Sequence, residues 1–223
     1  MSDSAASAAF FRFEGTLSPR STLAAAAYLA SNAQGFGERI ARLGNVALAA
    51  PLAFAGELST GSAATKITWM GVRGMSEDRL HVLAEEYFEK YLKDDVVEVG
   101  HDLLKKAKKQ GRRIVLISDN IDLIVAPVAE MLGADDLICN RLEFRKRKAT
   151  GRLEDPVIGG NVAGQWARSF AAENGIDLNA SWAYGAQAAD SLLMSAIGQP
   201  CAVNPDRQLR RLAKDHSWPV VEK

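Results

Sequence analysis

Cysteine is scarce in this chain of 223 residues. Cys139 and Cys201 are the only two, far apart and without CxxC or any other ligand spacing. That excludes a disulfide framework and a thiolate zinc site, and it suits a reduced, cytoplasmic setting with both thiols as small buried residues. The three histidines, His81, His101 and His216, are scattered, so they form no imidazole cluster either. A surplus of charge of one sign is missing: Lys+Arg and Asp+Glu number 27 each, and the balance points to neither nucleic acid nor an acidic partner. Long apolar runs are missing too. The most apolar stretch, Val46–Ala55 (VALAAPLAFA), is too short to span a bilayer and contains Pro51. It reads as a buried helix, with shallow contact at a membrane surface as the alternative. The opening MSDSAASAA lacks the basic start and apolar centre of a secretory signal. No internal repeat or low-complexity tract occurs. GGNVAG (159–164) is glycine-rich but fits neither the P-loop nor the dinucleotide pattern, so it reads as a turn before a helix.

Two textures are present. From about Arg20 to Asp94 the pattern is almost wholly helical and rich in alanine. In EDRLHVLAEEYFEKYL, residues Leu80, Leu83, Ala84, Tyr87, Phe88 and Tyr91 make an apolar stripe at helical spacing, and Ser76 marks the helix start. From about Asp95 strands and helices alternate. RRIVLIS (112–118) is a continuous apolar run, the mark of a strand buried on both faces. A helix over 121–132, a strand over DLICN, a hairpin over 141–155, and three more strand–helix alternations follow. This predicts an α/β fold: a Rossmann-like parallel sheet with helices on both faces, built from 1–19 and 95–223, and a helical cap at 20–94 inserted after the first strand (9–14). Ligands of such sheets bind at the carboxyl ends of the strands. Arg12–Thr16, Ser118–Asn120 and Gly185–Asp190 are therefore expected around one crevice, beneath the cap.

The basic groups at 105–113 and Arg145–Lys148 lack aromatic interleaving or a recognised module, so they read as solvated faces and no nucleic-acid partner is expected. Trp166, Phe170 and Trp182 read as core residues.

Five stretches in order resemble the haloacid dehalogenase superfamily, in the branch of the phosphoserine phosphatases. FFRFEGTLS resembles the first motif, a strand ending in Asp-x-Asp-Gly-Thr. RRIVLISDN resembles the second, ending in Ser or Thr. AYGAQAAD (183–190) resembles the fourth, Gly-Asp-(Ser/Gly)-x-x-Asp. The run from Leu192 to Val221 resembles the family's Asn-Pro-Asp turn and Trp-Pro ending, and GMSEDRLHVLAEEYFEKYL the last cap helix. The resemblance implies a chemistry in which one Asp attacks a phosphomonoester, a second acts as acid and base, and Mg2+ neutralises the phosphate, while a Ser or Thr and a Lys bind its oxygens.

Position by position, this chain departs from that set. Arg12 stands at the nucleophile position, and a guanidinium cannot attack phosphorus. Glu14 stands at the acid/base position, one methylene longer than Asp. Gly15, Thr16 and the hydroxyl of Ser118 are retained. The phosphate-binding lysine falls at Ala163, with Asn161 or Gly164 under a slightly different register, and the first Asp of the fourth motif is Ala186. Asp190 remains as the one inherited metal ligand. No cofactor is expected on these residues, and Mg2+ only if the chain is still a hydrolase. Two readings of Arg12 stay open. It pairs with Glu14 or Asp190 and ties the strand ends together, or it faces the crevice with Ser118 and the backbone amides after it, from Asp119 on, and binds an anion without turning it over. The expectation is a pseudophosphatase that holds a small phosphorylated or carboxylated ligand, or a protein partner through its cap. The competing class is a weak or altered phosphomonoester hydrolase using Glu14 as base.

Overall fold

The computed structural model describes residues 6–32, 43–44, 47, 61–159 and 162–222. Apart from Ala47, the stretch Val46–Ala55 lies outside them, as does Asn161. Eight strands run along the described chain: β1 (Ala8–Arg12), β2 (Arg113–Ile121), β3 (Asp136–Asn140), β4 (Leu142–Arg145), β5 (Lys148–Leu153), β6 (Trp182–Gly185), β7 (Gln199–Val203) and β8 (Val220–Val221). The helices are α1 (Thr22–Ser31), α2 (Gly61–Trp69), α3 (Glu77–Tyr87), α4 (Glu98–Lys109), α5 (Asp122–Leu132), α6 (Ala163–Asn174), α7 (Ser191–Ser195) and α8 (Arg207–Asp215). Among the described residues no helix is long and apolar enough to cross a membrane.

Six strands form one parallel sheet in the order β3-β2-β1-β6-β7-β8. The α/β expectation holds, and the reason is visible in the side-chain alternation. On β1, Ala9 and Phe11 face one apolar layer with Ile114 and Leu116 of β2, Leu29 of α1 and Leu104 of α4. Ala8 and Phe10 face the other, with Val115, Ile117, Ala167 and Leu209. All five β1 residues are buried, as a central strand covered on both faces requires. Helix ends follow local chemistry. Ser21, Ser76 and Asp206 accept backbone N–H groups as N-caps, and Gly133 and Gly175 close α5 and α6 in the left-handed region.

Several expectations shift in detail. β2 runs on to Ile121, so Ser118–Asn120 lies within the strand, where the pairing with β3 breaks register between Ile117 and Ile121. The first helix after β6 is not regular throughout but a 3₁₀ turn (Ala188–Asp190) followed by the short α7. Trp166, Phe170 and Trp182 are only half-buried and pack at the rim of the core. Guanidinium groups cover two of these rings, Arg112 on Trp182 and Arg113 on Phe170. Cys139 is half-buried, and only Cys201 is fully inside.

The hairpin β4–β5 does not join the main sheet. It reaches the helical segment instead: Gly74 N donates to the Ala149 carbonyl at 2.7 Å, Ala149 N to Met75 O at 2.9 Å, and Glu77 N to Arg147 O at 3.0 Å. At the other end of that segment Val97 N donates to Leu17 O at 3.0 Å. There Gly100 lets α4 press against the turn after β1; a Cβ on it would lie 1.8 Å from the Thr16 carbonyl oxygen.

Candidate functional site

β1 sits between β2 and β6, at the place where the chain's crossovers part to either side. Three strand ends therefore converge: β1 with Arg12 and the turn after it, β2 with Ser118 and Asp119, and β6 with the loop from Gly185 to Asp190. Gly15 makes the turn after β1 at φ +79° and lies against Ala186, which a Cβ on Gly15 would approach to 2.9 Å.

The guanidinium of Arg12 lies at the centre and is 2% exposed. Its Nε stands 2.8 Å from Asp190 Oδ1, and its Nη2 stands 2.9 Å from Asp119 Oδ1 and 3.5 Å from Glu14 Oε2. Only the Asp119 contact has the geometry of a hydrogen bond; the other two are ion pairs. Each carboxylate is anchored in turn. Asp190 Oδ2 accepts the N–H groups of Ala186 and Gln187, both at 2.9 Å. Glu14 Oε1 accepts from Ser118 Oγ at 2.6 Å and from Thr22 Oγ1 at 3.1 Å. Asn140 Nδ2 donates to the Asp119 carbonyl at 2.7 Å and to the Ile158 carbonyl at 2.8 Å, which holds the β2 end in place.

One buried cation thus faces three carboxylates, of which Glu14 and Asp190 are buried and Asp119 is half-buried. Burial is the largest influence on Arg12 and lowers its pKa, but Asp119, Asp190 and Glu14 together outweigh it and hold the group above its ordinary value. Burial pushes Glu14 and Asp190 up from the carboxylate range, with Arg12 pulling each back. Four buried atoms remain without a hydrogen-bond partner in the turn that carries the site: Arg12 Nε, which has only its ion pair with Asp190, Arg12 Nη1, Glu14 Oε2 and Thr16 Oγ1.

The structure brings Arg12, Glu14, Ser118, Asp119 and Asp190 into direct contact, with Gly15, Thr16 and Gly185 as the backbone around them. Arg12 does not choose between Glu14 and Asp190 but meets both, and Asp119 as well. Ala163 is buried in the apolar layer with Phe10 and Leu193. The other cations near in sequence stay outside: Arg168 is exposed, and Arg145 and Arg147 lie in exposed ion pairs with Glu143, Glu77 and Asp78. Two anchors were not foreseen, Thr22 and Asn140. Thr22 follows the N-cap of α1, and no spacing rule connects it to Glu14. Asn140 ends β3, and its side chain could be linked to Asp119 only once β2 and β3 were known to pair.

Over residues 9–195 the chain matches the family of haloacid dehalogenase-like hydrolases. It belongs to that family. The Inhibition of morphological differentiation protein of Streptomyces azureus is 30% identical over 151 residues, 67% of this chain and 54% of that protein. A phosphoserine phosphatase of Mycobacterium tuberculosis is 27% identical over 149 residues, 67% of this chain and 48% of that enzyme. A solved phosphoserine phosphatase with bound substrate superposes with a TM-score of 0.72 at 21% identity, over 98% of this chain and 93% of that chain. The haloacid dehalogenase fold is therefore the setting of these residues. The chain spans about half the length of the curated relatives it matches.

Proposed function

We propose that this family member is a non-hydrolysing relative of the phosphoserine phosphatases, one whose crevice holds a small phosphorylated or carboxylated ligand, or positions a protein partner through the helical cap at 20–94, without turnover. One observation carries the reading: the residue at the nucleophile position is Arg12, buried and paired with three carboxylates. A guanidinium has no electron pair to offer phosphorus at any accessible pH, so the covalent aspartyl step has no starting atom. The family's metal does not fit these residues either. The guanidinium stands among the carboxylates, a methyl group replaces the carboxylate at Ala186, and among the described residues no three His, Cys, Asp or Glu side chains are grouped to hold a metal ion. Arg12 Nη1 and Thr16 Oγ1 are unpartnered donors but buried, so in this reading the turn after β1 opens before they meet an oxygen-bearing guest. Two free cysteines accord with a reduced, cytoplasmic setting as part of the same proposal.

A second reading has its own support. The family match is to hydrolases, and relatives of this chain carry phosphatase names. These comparisons favour a phosphomonoester hydrolase as a class more directly than they favour loss of activity. In such an enzyme Glu14, held by Ser118 and Thr22, would act as general base on a bound water, with its carboxyl pKa raised by burial. No covalent intermediate would form.

The test assays the natural protein on a panel of phosphomonoesters with and without Mg2+, beside the triple variant Arg12→Asp, Ala163→Lys, Ala186→Asp. Thermal shifts with inorganic phosphate and phosphoserine are read in parallel. A silent natural protein whose melting temperature rises with an anion, and a triple variant that gains Mg2+-dependent turnover, support the binder. Turnover by the natural protein establishes the hydrolase.

A further inference from the structure

We propose that the Arg12 guanidinium is the resident cation of this crevice, a built-in substitute for a divalent metal that ties the three strand ends together and makes the fold independent of metal. The inference rests on Arg12 standing at the end of β1 as described above. It does not rest on whether the protein turns over a phosphomonoester.

Three observations lead there. First, the three partners come from three separate strand ends: Glu14 after β1, Asp119 on β2 and Asp190 after β6. A chain that places carboxylates of separate elements around one buried point, with Glu14 and Asp190 themselves buried and Asp119 half-buried, calls for a cation at that point, because unpaired buried carboxylates would neutralise themselves or separate. Second, the guanidinium uses its shape. Nε meets Asp190, and Nη2 meets both Asp119 and Glu14. A planar fork can bridge partners on different sides, whereas an ammonium is a single point. Third, the carboxylates of Asp190 and Glu14, and the backbone of Asp119, are held from behind by groups independent of Arg12. The amides of Ala186 and Gln187 hold Asp190, the hydroxyls of Ser118 and Thr22 hold Glu14, and the Asn140 amide holds the Asp119 backbone. Two of the three carboxylates, Glu14 and Asp190, are therefore held in place whether or not Arg12 is present.

Loss of Arg12 should expose a latent cation requirement. The experiment compares melting temperatures of the full-length natural protein, Arg12→Ala and Arg12→Lys in EDTA, in MgCl2, in CaCl2, and in NaCl at matched ionic strength. The natural protein is expected to melt at the same temperature in all four. Arg12→Ala should melt lower in EDTA and recover by roughly 5 °C or more with Mg2+ or Ca2+, beyond the effect of matched NaCl. Arg12→Lys should lie between the two and respond little to metal. A natural protein stabilised by Mg2+ or Ca2+ beyond the matched NaCl control overturns the inference. So does an Arg12→Ala protein as stable as the natural one in EDTA, or one that is less stable but gains nothing from either metal. If Arg12→Ala does not fold, Arg12→Lys decides. Insensitivity to metal in a folded Lys variant supports the inference, and a metal gain as large as that expected for Arg12→Ala overturns it.

Discussion

Replacing Arg12 by methionine retains much of the side chain's volume and removes its charge, leaving Glu14, Asp119 and Asp190 facing one another. Each of the two short contacts of Arg12 carries roughly 5 kcal/mol of attraction at an effective dielectric near 20. The guanidinium's desolvation offsets much of that, and the measured cost of breaking buried pairs by deleting one member is about 3–5 kcal/mol. For a chain of this size that lowers the melting temperature by roughly 6–20 °C. The loss should also depend on pH. Burial already raises Glu14 and Asp190, and Arg12 is the strongest influence pulling them down. Without it both rise further in the folded state. A carboxyl whose folded pKa lies above its unfolded value contributes stability that is present below the unfolded value and is lost as pH rises through the folded one. The Arg12→Met penalty should therefore be small near about pH 4 and reach its full size near about pH 8. Urea denaturation of both proteins across that range, followed by circular dichroism, measures it. A loss below about 1 kcal/mol, or one that is the same at both ends of the range, refutes the assignment of Arg12 as the counterion of this cluster.

Other perturbations separate buried anchors from exposed ones. Asp190→Ala removes the acceptor of the Ala186 and Gln187 amides as well as a partner of Arg12, and should cost about 3 kcal/mol or more in the same denaturation assay. Gly100→Ala forces a methyl group toward the Thr16 carbonyl, which it would meet at 1.8 Å; thermal melting should show a loss of at least about 2–3 kcal/mol as α4 is driven off the turn after β1. Arg147→Ala removes ion pairs to Glu77 and Asp78 that are open to solvent, and should change stability by less than about 1 kcal/mol, with the small loss disappearing in high salt.

The parts of this molecule that were legible in advance are those governed by local chemistry. RRIVLIS reads as a buried strand and DLICN as a strand, and Ser76 and Gly133 mark helix ends for reasons that act within a turn of the chain. The convergence of Arg12, Ser118 and Asp190 was legible too, because parallel α/β sheets gather their strand ends at one edge. The outcome of that convergence was not legible. Whether Arg12 turns inward to carboxylates or outward to an anion depends on distances across three strands, and only the register of β1 against β2 and β6 sets those. The same holds for Asp119, read as part of an anion site and found as the hydrogen-bonded partner of Arg12. Likewise the extension of β2 through Asn120 follows from its pairing with β3, a long-range fact that no apolar run announces.

The most direct test of a crevice without turnover is phosphate release by the natural protein from a phosphomonoester panel, with and without Mg2+, set against a Glu14→Gln variant that keeps the side chain's size and much of its hydrogen bonding. No release above the Glu14→Gln background, in either condition, is the expected result. Release by the natural protein that disappears in Glu14→Gln would contradict it and establish this family member as a hydrolase that works around its arginine.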